Sequence, residues 1–155
     1  MSSPKLSIRL AELDDLGSIL GLYSQLNPED PELIDDREQK TLAYILKSPE
    51  LSLFLGEMDG SVVATCYLNI VPNLSRQASP FGVIENVVTD RNWHNHGFGK
   101  QMMQHALAAA WSAGCYKVML QTGSTRESTH QFYTDCGFTM DDRFAFVARP
   151  GAQTS

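Results

Sequence analysis

The segment formed by residues 84–100 constrains the fold of this chain more than any other stretch. An apolar run suited to a buried strand ends at Thr89, a polar turn follows, and a Gly-x-Gly pair then leads into a long helical pattern from Phe98. The first N–H groups of a helix lack partners within the helix, and the helix dipole favours negative charge there. A strand that runs through a glycine turn into a helix therefore predicts a phosphate-binding segment.

Length, charge and cysteine content restrict the class of protein. The 155 residues predict one domain, and the net charge of -6 argues against a nucleic-acid partner and against docking on acidic membranes. The sequence has neither the apolar run of a transmembrane helix nor the apolar core of a signal peptide. The three cysteines are widely spaced, which favours reduced thiols over a disulfide framework or a zinc site. We therefore expect a cytoplasmic protein without a metal.

Hydrophobic periodicity predicts alternating strands and helices. Strands are expected where apolar residues alternate, and helices where they recur every three or four residues. The predicted strands are residues 6–10, 51–58, 61–71, 81–89, 116–122 and 144–148, and the predicted helices are residues 11–26, 35–46, 97–113 and 128–136. The order βααβββαβαβ predicts an α/β (α+β) domain over residues 1–155, with helices packed on a mixed sheet.

The glycine turn does not fit two familiar nucleotide-binding motifs. A Walker A loop needs Ser or Thr after Gly-Lys, but Gly99-Lys100 is followed by Gln101. A dinucleotide-binding fingerprint needs a third glycine at the position of Met102. A nucleotide-binding phosphotransferase therefore conflicts with the spacing of the turn.

Three blocks of sequence resemble the GNAT superfamily of N-acetyltransferases, which use acetyl-CoA. The first is Val87-Val-Thr-Asp with His94-Asn-His-Gly-Phe-Gly-Lys100, which is similar to the family's Arg/Gln-x-x-Gly-x-Gly/Ala loop. The second is Gly114-Cys-Tyr-Lys-Val-Met-Leu120, and the third is Gln131-Phe-Tyr-Thr-Asp-Cys-Gly-Phe138, which resembles the Phe-Tyr-x-x-x-Gly-Phe signature. The resemblance covers most of the chain and implies a GNAT-like acyl-CoA N-acyltransferase domain with a mostly antiparallel sheet.

The resemblance implies that residues 84–100 bind acetyl-CoA in two ways. Backbone N–H groups of the glycine turn would hold the pyrophosphate, and the strand before it would pair with the pantetheine arm at an open sheet edge. A backbone N–H of Val87 or Val88 would polarise the thioester carbonyl. The implied cofactor-binding residues are Val87, Val88, Thr89, His94, Asn95, His96, Gly97, Phe98, Gly99 and Lys100.

Two side chains are predicted to act on the reacting groups. Tyr133 matches the tyrosine of the family motif, which implies a general acid that protonates the departing thiolate. Glu85 is one of few charged residues in an apolar strand, and its carboxylate suits removal of a proton from an ammonium substrate, or binding of that ammonium. Both residues also have a structural interpretation, as a core aromatic side chain and as a solvent-facing strand residue.

The sequence departs from the family pattern at two positions. His94 stands where the family has Arg or Gln, a change that backbone phosphate contacts would tolerate. Arg126 stands where the family often has Asn, so Arg126 is instead a candidate partner for a phosphate or an anionic substrate. His130, one helical turn before Tyr133, fits either an acceptor pocket or the surface.

The expected reaction is acetyl transfer to a primary amine of a small molecule, by direct attack in a ternary complex. Ile84-Glu-Asn-Val-Val with Gly114-Cys-Tyr-Lys-Val is similar to glucosamine-phosphate acetyltransferases, and the His-x-Phe-Tyr segment to aminoalkylphosphonate acetyltransferases. These similarities favour a phosphorylated or anionic amine, with Arg76, Arg126 or Lys117 as anion partners.

Other acceptors and roles stay open at this stage. A peptide or protein amine would suit the acidic residues 30–36, and a noncatalytic acyl-CoA-binding module would use the same cofactor site. The sequence also leaves a homodimer open.

Overall fold

The computed structural model describes residues 4–30, 35–140 and 143–151. The chain divides into two compact units, which cover residues 1–120 and residues 121–155. Part of the acidic stretch considered above, residues 31–34, lies outside the described residues. The expectation of one domain over residues 1–155 stays a prediction.

A five-stranded sheet, within the described residues, forms the centre of the first unit, and its strands follow one another in chain order. The strands are β1 (Ser7–Leu10), β2 (Leu51–Met58), β3 (Ser61–Val71), β4 (Phe81–Thr89) and β5 (Val118–Leu120). Strands β1 to β4 pair antiparallel with their neighbours, and β5 pairs parallel to β4. The predicted mixed, mostly antiparallel sheet is confirmed.

Local signals begin and end the helices. The helices of the described residues are α1 (Leu16–Leu26), α2 (Asp36–Lys47), the single turn α3 (Ser75–Ala78), α4 (Phe98–Ser112) and α5 (Glu127–Asp135). A capping box starts α2, because the Asp35 side chain accepts from the Arg37 N–H and the Glu38 side chain accepts from the Asp35 N–H. Gly97 precedes α4 and Gly114 follows it, both with positive φ.

One face of the sheet packs against α1 and α2. In β2, Leu53 and Leu55 point to this face, because alternate residues of a strand lie on the same side. They are buried with Ala11, Ile19 and Leu42 in one hydrophobic cluster. Removal of this apolar surface from water holds both helices against the sheet.

The opposite face of the sheet is covered by α4. The buried side chains of α4 follow the helical spacing that the sequence predicted, and they are Phe98, Met102, Met103, Ala106 and Ala110. A Cβ on Gly56 of β2 would collide with the Leu6 side chain and would lie 3.0 Å from the Sδ of Met102, so the missing side chain leaves room for both residues on this face. This packing fixes the start of α4, and with it the glycine turn, against the sheet.

The predicted elements at the C-terminal end need two corrections. The strand expected over residues 116–122 is shorter, since β5 covers only Val118–Leu120. The final strand expected over residues 144–148 is wrong, because the described residues 143–151 form no strand. Phe144 and Phe146 alternate as a strand requires, yet they are 93% and 94% exposed. An alternating sequence pattern favours a strand, but a strand also needs a neighbouring strand with which to pair.

Candidate active site

A bulge interrupts the pairing of β4 with β3. Glu85 lies opposite Tyr67 and Val88 lies opposite Thr65, so two residues of β4 face one residue of β3 between these pairs. Asn86, the first of the two, has a φ of 54°, a left-handed conformation that asparagine adopts more readily than most other residues with a side chain. The extra residue bends the strand at the centre of the segment that the sequence singled out.

The neighbouring helix α1 holds the bulge in place. Burial raises the pKa of the Tyr23 hydroxyl of α1 to about 12, and an interaction with the Asn86 side chain opposes part of this rise. Tyr23 also packs against the hydrophobic cluster beneath α1. Tyr23 therefore links Asn86 of the bulge to the core, a role that no sequence motif indicated.

The edge of β4 is open beyond the bulge. Parallel pairing with β5 covers only Gly82 to Ile84, whereas β4 continues to Thr89. In the described part of the chain, no strand pairs with residues 85–89 on the side of β5. Their backbone groups on that side are free to pair with an extended ligand, as strand addition requires. The open edge predicted from the sequence is thus present in the structure.

The glycine turn leaves the start of α4 without a side-chain cap. Gly97 takes the N-cap position with a φ of 78°, and no side chain accepts a hydrogen bond from the first turn. Asn95 also has a positive φ, of 65°. A Cβ at Gly97 would have no neighbour within 4 Å, so the glycine is required by backbone conformation and opens onto free space. These N–H groups can therefore bind an anion such as a pyrophosphate.

The two histidines of the turn shape its backbone. His94 Nε2 donates to the Thr89 carbonyl at 2.9 Å, and His96 Nδ1 lies 2.8 Å from the His94 carbonyl. The His96 ring also packs with Trp93 and Phe98, at centroid distances of 5.4 and 5.6 Å. The sequence placed both histidines at the phosphate site, and the structure shows that these ring nitrogens are already used to hold the turn.

A second contact fastens the turn to α1. Gln25 Oε1 accepts from the Arg91 N–H at 3.0 Å, and Gln25 Nε2 donates to Asp90 Oδ2 at 3.3 Å. Asp90 in turn caps the short helical turn that follows, by accepting from the Asn92 N–H. Through Tyr23 and Gln25, helix α1 thus contacts both the β4 part of residues 84–100 and the turn that follows it.

Glu85 lies at the start of the bulge and is exposed. It shares a face of the sheet with Tyr67, its partner on β3, and with Val83, two residues earlier on β4. Its carboxylate is therefore available to a ligand that approaches the open edge from this face.

Tyr133 belongs to the second unit, where it lies on α5. Its ring packs against Phe132 and Phe138, at centroid distances of 5.0 and 6.1 Å. Burial raises the pKa of the Tyr133 phenol, and the neighbouring Cys136 raises it further. The hydroxyl therefore keeps its proton across the neutral pH range.

The other candidate residues of the second unit lie at the start of α5. Arg126 occupies the N-cap position, where its N–H donates to Ser124 Oγ at 3.2 Å. His130 Nε2 donates to the Ser124 carbonyl at 2.7 Å. His130 thus fixes the turn before the helix, which was not expected from the sequence.

A cavity of about 430 Å³ lies at the turn between β3 and β4. It is lined by Ile70, Pro72, Asn73, Leu74, Ala78 and Pro80. Ile70 pairs with Gly82, so it points to the side of the sheet opposite Glu85. This cavity is therefore not the predicted site.

Two further features concern metals and membranes. Among the described residues, no group of three or more His, Cys, Asp or Glu side chains is placed to hold a metal ion. None of the helices in the described ranges is both long enough and apolar enough to cross a bilayer.

Comparison with known proteins assigns the family. The model of the acetyltransferase (GNAT) family matches residues 19–138, which include β2 to β5 and the Tyr133 motif. The chain belongs to the GNAT acetyltransferase family. It is an acyltransferase, as the sequence predicted, and the family match extends across both compact units.

The relatives of this GNAT acetyltransferase include enzymes of known substrate. A glucosamine 6-phosphate N-acetyltransferase from Trypanosoma brucei brucei is 30% identical over 142 residues, which cover 89% of this chain and 92% of the relative. A solved structure described as a candidate acetyltransferase from Agrobacterium tumefaciens C58 is 43% identical, with a TM-score of 0.87 over 92% of this chain and 99% of that one.

A more distant structure shares the fold. AAC(6')-Iy in complex with the bisubstrate analogue CoA-S-monomethyl-acetylneamine has a TM-score of 0.78 and is 21% identical. The match covers 94% of this chain and 99% of that chain. These comparisons confirm the GNAT fold expected from the sequence.

Proposed function

We propose that this GNAT acetyltransferase moves an acetyl group from acetyl-CoA to the primary amine of a small molecule, by direct attack in a ternary complex. The observation that carries the proposal is the open edge of β4, which runs directly into an uncapped helix N-terminus. One extended molecule with a pyrophosphate at one end matches both features. The AAC(6')-Iy complex, in which that protein holds a CoA bisubstrate analogue, supports the same donor.

The glycine turn and the β4 edge of residues 84–100 would bind different parts of acetyl-CoA. Backbone N–H groups of residues 96–100 would bind the pyrophosphate, and the β4 edge at Val87, Val88 and Thr89 would pair with the pantetheine arm. The Thr89 carbonyl already accepts from His94, so the edge offered to the ligand lies mainly before it. A backbone N–H of Val87 or Val88 would polarise the thioester carbonyl as charge develops on its oxygen.

Glu85 is assigned the removal of a proton from the amine substrate. An ammonium must lose a proton before its nitrogen can attack the thioester carbon, and the exposed carboxylate at the bulge would take that proton directly or through water. The new C–N bond then forms as the carbonyl becomes a tetrahedral oxyanion. Placement of both reactants on one strand replaces a bimolecular encounter with an oriented one.

Tyr133 is assigned the protonation of the leaving CoA thiolate. When the tetrahedral intermediate collapses, the C–S bond breaks and the CoA thiolate takes the phenol proton. The raised pKa of Tyr133 keeps the phenol protonated until then. The match of Tyr133 to the family's Phe-Tyr-x-x-x-Gly-Phe motif supports this role. The family match over residues 19–138 likewise supports one acyltransferase domain built from both units.

A panel of amines with acetyl-CoA, followed by release of free thiol, tests the proposed function. Glucosamine, glucosamine 6-phosphate and short peptides distinguish a small amine from a peptide acceptor. Thiol release that depends on a small amine supports the proposal. Binding of acetyl-CoA without thiol release at any pH would instead indicate a noncatalytic acyl-CoA-binding module.

Substitution of Gly97 tests the turn. Gly97→Ala places a side chain at a φ of 78°, a strain of about 1–2 kcal/mol, so we expect the turn to shift and the KM for acetyl-CoA to rise about tenfold. Gly60→Ala is the matched control, since Gly60 has the same φ and the same free space but lies in the β2–β3 hairpin. Equal effects of both variants on acetyl-CoA binding would contradict the proposed turn.

Removal of the Tyr133 hydroxyl tests the general acid. For Tyr133→Phe we expect kcat to fall by about 100-fold, because the thiolate then departs without a proton, while the Kd for acetyl-CoA stays unchanged. Thiol release followed by stopped flow gives kcat, and calorimetric titration gives the Kd for acetyl-CoA. Tyr44→Phe, at a tyrosine that is 68% exposed, serves as the control. An unchanged kcat would remove Tyr133 from the mechanism.

Neutralisation of Glu85 tests the base. Glu85→Gln leaves the enzyme dependent on amine that is already neutral in solution, a fraction that rises with pH. We therefore expect the profile of kcat/KM against pH to move to higher pH. Glu50→Gln, at another exposed glutamate, should leave the profile in place. If Glu85→Gln left it in place as well, Glu85 would be only a structural or binding residue.

A further inference from the structure

Two cations from separate segments share one aromatic ring near the start of β4. The guanidinium carbon of Arg76 lies 5.6 Å from the ring centroid of Tyr116, and Lys117 Nζ lies 5.4 Å from the same centroid. Lys117 Nζ also lies 5.5 Å from the ring of Phe81, which packs edge-on against Tyr116 at 6.5 Å. Cation–π attraction holds both charges beside these rings.

No carboxylate neutralises this pair of cations in the part of the chain that the structure describes. The ion pairs there join Arg9 to Asp15 and Glu57, and Arg37 to Asp35. The whole chain carries a net charge of -6, so a positive patch without acidic partners is unusual on it. Both exposed cations lie within 6 Å of the centroid of one ring, and an anion bound beside that ring would be attracted to both.

The turn that presents Arg76 is strained and braced. Arg76, Gln77 and Ala78 have φ values of 54°, 60° and 59°, a left-handed conformation in residues that carry side chains. The Asn73 amide braces the turn by donating to the carbonyls of Ser75 and Ser79, each at 3.1 Å. Strain that is maintained in this way is typical of functional segments, and here it directs Arg76 over Tyr116.

The cation pair and Glu85 are associated with one face of the sheet. Phe81, Val83 and Glu85 alternate along β4, so their side chains share a face, and Lys117 contacts the Phe81 ring on it. Val83 is half-buried and its β5 partner Met119 is 44% exposed. Glu85 lies four positions after Phe81 on β4, which corresponds to about 13 Å between their Cα atoms.

We propose that Arg76, Lys117 and the Tyr116 ring that they share form an anion subsite for the phosphate of a phosphorylated amine whose nitrogen is held at Glu85. The inference rests on the proposed function and narrows its acceptor. Because Glu85, Arg76 and Lys117 all have long side chains, a sugar ring with its phosphate is long enough to bridge the remaining distance between their charged groups. A guanidinium and an ammonium are the side chains that bind phosphate most strongly, through charge-assisted hydrogen bonds.

The test compares a phosphorylated amine with its unphosphorylated form. For Lys117→Gln and Arg76→Gln we expect the KM for glucosamine 6-phosphate to rise about tenfold in each variant, while the KM for glucosamine and the Kd for acetyl-CoA stay unchanged. Lys40→Gln, on α2, is the control for the general loss of one positive charge. Circular dichroism of each variant confirms the fold.

A binding measurement keeps the inference separate from the proposed reaction. NMR titration of the wild-type protein with inorganic phosphate, and with glucosamine 6-phosphate, should shift the Tyr116 and Lys117 resonances, and both substitutions should weaken these shifts. This result supports the subsite even if no amine is turned over. Shifts with inorganic phosphate but equal affinities for the two amines would overturn the acceptor role and leave a free-anion site. No shift with either phosphate compound would overturn the subsite itself.

Discussion

The interruption of pairing along β4 is the constraint on which the rest of the site depends. Backbone N–H and C=O groups need partners, and a sheet normally provides them on both sides of an inner strand. Here the bulge at Asn86 and the end of the β5 pairing at Ile84 leave residues 85–89 with one free edge. An unprotected edge invites association with other chains, unless an extended ligand takes that place. The same interruption leaves Glu85 exposed beside the edge.

Helix α1 stabilises this arrangement from one side of the sheet. Tyr23 interacts with Asn86 at the bulge, and Gln25 forms hydrogen bonds with the Arg91 N–H and the Asp90 side chain in the turn that follows β4. Because both contacts come from one helix that is packed on the buried cluster, the strand and the turn keep a fixed relation. Packing of α1 on the hydrophobic core thus fixes the positions of Tyr23 and Gln25, and these two side chains in turn position the strand and the turn.

The sequence predicted the parts of the molecule that depend on pattern. Periodicity identified β1 to β5, with β5 expected to be longer than it is, and the apolar face of α4. The Gly-x-Gly pair identified the turn, and three motif blocks identified the family. It did not predict the bulge, because a positive φ at Asn86 leaves no trace in alternation. It also missed the roles of His94 and Tyr23, since their contacts with the Thr89 carbonyl and the Asn86 side chain follow no sequence motif. The expected last strand failed because alternation in residues 144–148 says nothing about a pairing partner.

Hydrogen exchange of the backbone amides, measured with and without acetyl-CoA, tests the central claim most directly. Pairing of the ligand with the open edge predicts slower exchange within residues 85–89 and at the first amides of α4, with little change in the β1–β2 pairing. Since the slowing depends on how much of the site is occupied, it should saturate with acetyl-CoA concentration. Unchanged exchange at both places while acetyl-CoA binds would contradict the account, because the ligand would then lie elsewhere.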